Sequence, residues 1–206
     1  NASPTCVLAF GEEGDCIGEL IGPEFGGMRA MFTMMNNARL NVGLEGVQIA
    51  EAATQKAVAF ARDRVQSARA GGASRDSVAI VEHPDVRRML MDAKAFNEGA
   101  RAFTLWTAIH GDLLEVSPDD KVREKAEDYM GLMTPVLKSY LTDKGYANAT
   151  NCQQIFGGHG YIEEHGMSQF VRDARITTIY EGANGIQALD LVGRKLGEND
   201  GSAISA

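Results

Sequence analysis

From residue 26 onward, Met28, Met31, Phe32, Met35, Arg39, Val42, Gly46, Ile49 and Ala53 recur at steps of three and four, the spacing of one helix face. The pattern predicts one helix reaching about residue 66, more than about 50 Å long at 1.5 Å per residue. So long an amphipathic rod needs partners of similar length to cover its stripe. Gly43 and Gly46 fall in its interior, where each costs about 1 kcal/mol relative to alanine. A second helix crossing closely at that level is the simplest account of them.

Partners are legible downstream. A polar, glycine-containing loop at residues 68–77 leads to Pro84, placed where a first helical turn tolerates proline. Val86, Met89, Leu90, Ala93, Phe96, Phe103, Trp106 and Ile109 then predict a second long helix. Ser117-Pro118-Asp119-Asp120 reads as a helix start, with serine as cap, proline at the first position and acids in the first turn. The third helix carries Val122, Ala126, Tyr129, Met130, Met133, Leu137 and Leu141, and Pro135 should kink or interrupt it. Helical character resumes to about Phe156 and stops at Gly157-Gly158. A short helical piece at residues 168–174, a last helix at 184–196 and a small, polar tail expected to fray from residue 197 complete the pattern. Long helices joined by shorter loops predict an all-α, up-down four-helix bundle over residues 26–196. The 9 methionines fall mostly on apolar faces, as core filling.

The first 25 residues read differently. TCVLAF (5–10) and CIGELI (16–21) are short apolar runs around a glycine turn, which predicts a β-hairpin. Such a hairpin is marginal alone in water, so it reads as the edge of a larger, mostly absent β domain. The chain opens on Asn1, which suggests a processed or cut start. Its 206 residues suit one domain plus a piece of another and can bury roughly 70 % of their unfolded surface.

Composition narrows the function. A formal net charge of -8 argues against a nucleic-acid or anionic-membrane surface. No apolar run approaches the roughly 20 residues of a spanning helix, and no signal-peptide pattern is present. Cys6, Cys16 and Cys152 are too widely spaced for a metal knot, so reduced thiols in a cytosol-like compartment are the default. The Asn-x-Ser/Thr triplets at Asn1 and Asn148 then carry little weight. The four histidines are also scattered, and no metal site is expected.

Two segments could carry chemistry. Gly157-Gly158-His159-Gly160 follows a helix and lacks the spacing of a dinucleotide fingerprint. By itself it is a helix stop with bare backbone where a ligand could approach closely. Glu181 lies in Ile179-Tyr180-Glu181-Gly182, an apolar and aromatic setting at a helix start. Lost solvation would make its carboxylate a better base, while an acid at a helix N-terminus also suits the helix dipole. The residues alone leave both readings open.

Taken together, QIFGGHGY (154–161), RDAR (172–175) and IYEGANGIQ (179–187) resemble, in order and spacing, the C-terminal signature of acyl-CoA dehydrogenases. FARDR (60–64) and VEH (81–83) are similar to further motifs of that family, and the resemblance spans most of residues 20–196. Residues 32–53 and EHPDVRRML (82–90) look most like the branch containing large acyl-CoA and 3-methylmercaptopropionyl-CoA dehydrogenases. The resemblance implies a C-terminal helical bundle that follows the last hairpin of a β domain, and FAD held between domains and subunits.

It also implies roles. The family's catalytic carboxylate falls at Glu181. In some members it lies instead before an arginine on the first bundle helix. That position is Ala38 here, and alanine cannot act as a base. The implied reaction is abstraction of the α-proton of an acyl-CoA thioester, with the β-hydride passing to flavin. The thioester carbonyl would be held by a flavin hydroxyl and the Glu181 N–H, as in an oxyanion hole. Arg39, Tyr180 and Gly182 are implied at the substrate, although Arg39 alone reads equally as an inter-helix ion pair. Arg64, His83, Gln154, Gly157 and Gly158 are implied at FAD, with Arg64 and His83 reaching it from a neighbouring subunit. Partners implied are an electron-transfer flavoprotein and further copies of the chain as a homo-oligomer, in the bacterial cytoplasm or else the mitochondrial matrix. An acyl-CoA oxidase and a non-catalytic assembly module of the same fold are the alternatives.

The sequence departs from the family at several points. Ser67 replaces an aromatic residue, and the loop to Val81 is several residues longer. Ala183 replaces threonine and Gly185 replaces glutamine, so two polar contacts to the cofactor are lost. The base is retained.

Overall fold

The computed structural model describes residues 5–201 and Ile204; within these, the side chains of residues 32, 33, 36, 199 and 200 are left undescribed. Three long helices dominate: α1 (Gly27–Asp63), α2 (Pro84–Val116) and α3 (Asp120–Ile155). Each packs on the other two, and α3 contacts both neighbours most extensively. The fourth side is shared by two short helices, α5 (Met167–Thr177) and α6 (Asn184–Gly193), both packed on α3. The bundle expected from periodicity is therefore present, with its fourth member broken in two. Between α3 and α5 lie one helical turn, α4 (Gly158–Tyr161), and a 3-10 turn.

The glycines of α1 mark the crossing with α3. A Cβ on Gly46 would lie 2.9 Å from the Leu141 carbonyl oxygen, and one on Gly145 would lie 2.6 Å from the Gly46 carbonyl oxygen. Backbone meets backbone there, and only hydrogen fits. Leu137 and Leu141, fully buried, pack with Val47 and Ala100 around this crossing. A second apolar cluster, with Ala53, Ala57, Ala61, Met89, Ile155 and Phe156, fills the end toward the α1 C-terminus.

A chain of buried polar groups ties the three rods together at that end. Asn97 of α2 donates to Thr54 Oγ1 of α1 at 3.0 Å. Asn148 of α3 donates to Asn97 Oδ1 at 3.0 Å, and the Cys152 thiol donates to Asn148 Oδ1 at 3.5 Å. Burial pushes that thiol's pKa up, with the Thr54 hydroxyl opposing.

Several expectations are corrected. Residues 5–21 form no strand, and their apolar side chains are exposed; a hairpin with nothing packed on its apolar face does not gain enough to form. The small sheet lies elsewhere: β1 (Val65–Ala68) and β2 (Ser77–Ala79) pair antiparallel at the two ends of the expected loop, β1 beginning at the expected end of the first helix. The cap of α3 is Asp119, which accepts from the Lys121 N–H at 2.9 Å. Ser117 instead ends α2, and Pro118 precedes the cap. Pro135 does not interrupt α3, because buried Leu132, Thr134 and Leu137 on both sides hold the helix in the core. Trp106 and Ile109 are 42 % and 55 % exposed; Ala100, Thr104 and Thr107 face inward in their place. The tail forms a 3-10 helix over Lys195–Gly201. The rest of it, apart from Ile204, lies outside the described residues, as does Asn1.

Candidate functional site

Glu181 stands on the connection between α5 and α6. The chain reverses there through two consecutive left-handed residues, Glu181 at φ 54° and Gly182 at φ 86°. A non-glycine residue in that region carries backbone strain, so the surroundings must hold it. The Asn184 N–H closes the turn on the Thr178 carbonyl at 3.1 Å. Gln187, 1 % exposed, donates Nε2 to the Glu181 and Gly182 carbonyls at 3.2 and 3.1 Å. A Cβ at 182 would lie 2.5 Å from that nitrogen, so glycine is required.

Lys138 of α3 completes the brace. Its side chain is fully buried, and Nζ donates to the Gly182 carbonyl at 2.9 Å and to Asn184 Oδ1 at 2.8 Å. Asn184 Nδ2 donates in turn to Thr142 Oγ1 and Asp143 Oδ1 at 2.9 and 2.8 Å. Burial pushes the Lys138 ammonium down to about 8; Asp143 opposes this, Arg39 adds to it and Glu181 opposes it.

Arg39 is 7 % exposed and lies against the same turn, with Nη2 4.0 Å from where a Gly182 Cβ would be. Its ion-pair partner is Asp190 of α6, at 3.0 Å. Arg194 approaches the other Asp190 oxygen at 2.6 Å from an exposed position. Arg39 Nε and Gln187 Oε1 are buried without a hydrogen-bond partner among the described residues. The Tyr180 hydroxyl donates to the Glu45 carboxylate, and its pKa is raised by burial first and by Glu45 second. Outside the turn, the face of α6 is apolar and uncovered, with Ile186, Leu189 and Val192 52–69 % exposed.

A second cluster forms at the far end of α1. Arg64, Gln66, Phe60, Phe156, Gly157 and Gly158 line a cleft of about 500 Å³. Phe60 stacks on Phe156, ring centroids 4.0 Å apart, as its floor. Gly157 ends α3 at φ 56°, and a Cβ on it or on Gly158 would meet nothing within 4 Å. Arg64 has no ion pair among the described residues. An unpaired guanidinium beside open backbone suits a phosphate, so the donor set fits the pyrophosphate part of FAD. His83 does not line the cleft; its Nε2 lies 2.8 Å from the Gln66 carbonyl. The Gln154 side chain is exposed outside it, while its carbonyl accepts the Gly157 N–H at 2.9 Å.

The residues assigned from sequence thus fall into two groups, Arg39, Tyr180, Glu181 and Gly182 in one and Arg64, Gly157 and Gly158 in the other. Arg39 and Arg64 are roughly 37 Å apart along α1 at 1.5 Å per residue. A groove of about 930 Å³ between α1 and α2 is lined by none of them. Among the described residues, no three His, Cys, Asp or Glu side chains could hold a metal, and no helix is long and apolar enough to cross a membrane. Sequence reasoning missed Lys138, Asn184, Gln187 and Asp190. A lysine between Leu137 and Leu141 on a buried stripe was the available signal.

The family pattern described as "Acyl-CoA dehydrogenase, C-terminal domain" matches residues 26–196. A 3-methylmercaptopropionyl-CoA dehydrogenase from Ruegeria pomeroyi is 46 % identical over 95 % of this chain and 32 % of its own length. A butyryl-CoA dehydrogenase from Syntrophomonas wolfei is 38 % identical over 95 % of this chain and 33 % of its own. The chain therefore spans about a third of the length of these curated relatives. The solved butyryl-CoA dehydrogenase of Megasphaera elsdenii superposes with a TM-score of 0.67 at 28 % identity, covering 85 % of this chain and 40 % of that one. The chain belongs to the acyl-CoA dehydrogenase family, and residues 26–196 correspond to the family's C-terminal domain.

Proposed function

We propose that this chain is the base-bearing domain of an FAD-dependent acyl-CoA dehydrogenase and that Glu181 is the base. One observation carries the reading: Glu181 stands on a left-handed turn that Lys138 and Gln187 brace from the buried side. The α-proton of an acyl thioester is too weakly acidic for a carboxylate in water, so the base must be held and shielded. Here Gln187 and Lys138 hold the turn, and the exposed apolar face of α6 offers a surface from which a bound partner would exclude water. Glu181 takes the α-proton, and its own N–H is the donor assigned to the thioester carbonyl. Bound flavin would supply the acceptor for the β-hydride.

Arg64 and the bare backbone of Gly157 and Gly158 would hold the pyrophosphate of FAD. The roughly 37 Å along α1 between Arg64 and Arg39, which lies against the Glu181 turn, supports a composite site, in which one copy's phosphate cleft serves a neighbour's base. A homo-oligomer, transfer of electrons to an electron-transfer flavoprotein and a cytoplasmic location belong to the same proposal. The isolated domain then binds FAD weakly, because one cleft wall is all it offers.

The decisive experiment is Glu181→Gln in the full-length protein. Loss of flavin reduction by acyl-CoA, with flavin still bound, is the expected result. Near-normal reduction would overturn the assignment. An acyl-CoA panel that includes butyryl-CoA and 3-methylmercaptopropionyl-CoA reads the substrate class.

A further inference from the structure

We propose that Lys138 is the positioning residue for the Glu181 carboxylate: its ammonium, held between the Gly182 carbonyl and the Asn184 amide oxygen, fixes the left-handed turn on which Glu181 stands. This rests on the reading of Glu181 as the base, and it adds that the rate depends on Lys138 being charged.

A fully buried lysine is costly unless its protons find acceptors. Here the acceptors are specific, and both belong to the turn and the start of α6. A leucine or methionine would fill the same place in α3 without that cost, so burial alone does not explain an ammonium. The turn needs an anchor, because two successive left-handed residues leave their carbonyls outside any helix or strand. Gln187 reaches both carbonyls at more than 3 Å, but Gln187 belongs to α6 and moves with the turn. Lys138 ties the Gly182 carbonyl directly to α3, the helix packed against all the others, and also holds Asn184, whose amide reaches Thr142 and Asp143 of the same helix. A loosened anchor displaces Glu181 relative to the substrate, and a displacement of about 1 Å can cost 100-fold in rate.

The charged groups acting on the ammonium are Asp143 from the next turn of α3, Glu181 from the turn, and Arg39 from α1, itself paired with Asp190 of α6. Burial outweighs the two carboxylates that favour the charged form, so the ammonium gives up its proton near pH 8. The neutral amine makes weaker hydrogen bonds than the ammonium. Proton abstraction should therefore decline through about pH 8.

The test uses the full-length flavoprotein. Flavin reduction is followed by stopped flow from pH 6.5 to 9.5 with butyryl-CoA or 3-methylmercaptopropionyl-CoA, whichever reduces the parent enzyme. The parent rate is expected to fall above about pH 8. Lys138→Met should reduce the flavin about 10- to 100-fold more slowly. Its flavin content and half-saturating substrate concentration should be unchanged, and the alkaline fall should be absent. Amide exchange of residues 178–187 should quicken in this variant while that of α1 does not. Asp143→Asn, a milder change at an exposed position, removes a charge that favours the ammonium and should move the fall to lower pH. A parent profile that stays flat to pH 9.5 overturns the proposal even if Lys138→Met fails to fold. So does a Lys138→Met enzyme with the parent rate and profile, or an Asp143→Asn profile that does not move. Glu181→Gln run alongside separates the two ideas. If it reduces flavin normally, the assignment of the base fails. If it is inactive while Lys138→Met behaves as the parent, only the role of Lys138 fails.

Discussion

Arg39 of α1 and Asp190 of α6 form an ion pair at 3.0 Å in which the side chains are only 9 % and 3 % exposed. The pair fastens the short last helix to the long first one, next to the Glu181 turn. Removing one partner strands the other as a buried charge. Asp190→Asn should lower stability by about 3–5 kcal/mol, read as a shift in the denaturant midpoint. Replacing both by apolar residues, Arg39→Met with Asp190→Leu, should recover most of that loss. If the double variant is no more stable than the single one, the pair is not the origin of the effect.

The α1–α3 crossing predicts opposite signs for two glycine-to-alanine changes. Gly145→Ala pushes a methyl group into the Gly46 carbonyl and should cost about 1–3 kcal/mol. Gly99→Ala, on the exposed side of α2 with nothing within 4 Å of the new Cβ, should gain up to about 1 kcal/mol from helix propensity. Thermal melts of the two variants decide it. A neutral Gly145→Ala would mean the two helices separate easily.

At the cleft beside Gly157 and Gly158, Arg64→Ala should leave the fold within about 0.5 kcal/mol of the parent, since the side chain is exposed. FAD retention by the full-length protein should weaken by about 10- to 100-fold, the loss expected for one charged hydrogen-bonding partner. Gly157→Val should damage both properties, because its φ of 56° disfavours a branched side chain. Unchanged FAD titration of Arg64→Ala would remove that residue from the cofactor site.

Stability should also carry a signature of Lys138. Its pKa is lowered on folding from an ordinary 10.5 to about 8, so between these values the unfolded chain binds the extra proton. Stability contributed through this group therefore rises with pH from about 8 to 10.5. Cys152 and Tyr180, both raised by burial, act in the opposite sense once their unfolded forms begin to ionise. The informative quantity is the difference between parent and Lys138→Met. The stability difference between the two should move in favour of the parent as pH rises across that window, measured by urea midpoints at fixed ionic strength. A difference independent of pH would rule out the titration of Lys138.

Helix periodicity made α1, α2 and α3 legible because each covers many turns, and Gly43 and Gly46 announced a close crossing that the Gly46–Gly145 contact supplies. Single-residue signals fared less well. Pro135 is tolerated because tertiary packing outweighs a local break, and Ser117 yields the cap to Asp119 two residues on. Residues 5–21 hold two short apolar runs around a glycine turn, yet pairing needs a covered face that such runs cannot report. At the site, the motifs located Glu181, Arg64 and the Gly157-Gly158 stop. They were silent on Lys138, whose partners lie more than 40 positions away in sequence. Asp190 was hidden for the same reason, since its partner Arg39 belongs to the other end of the chain.

The polar relay from Thr54 through Asn97 and Asn148 to Cys152 has a consequence of its own. Apolar side chains of similar size let neighbouring rods slide past each other by a turn at modest expense, since one methyl group serves nearly as well as the next. Four polar groups in a fixed order do not. Shifting any one helix lengthwise by about 5.4 Å would leave several of them facing hydrocarbon. The relay thus works as an alignment gauge: it admits one lengthwise setting of the three rods, and that setting fixes how far the cleft at Arg64 stands from the Glu181 turn.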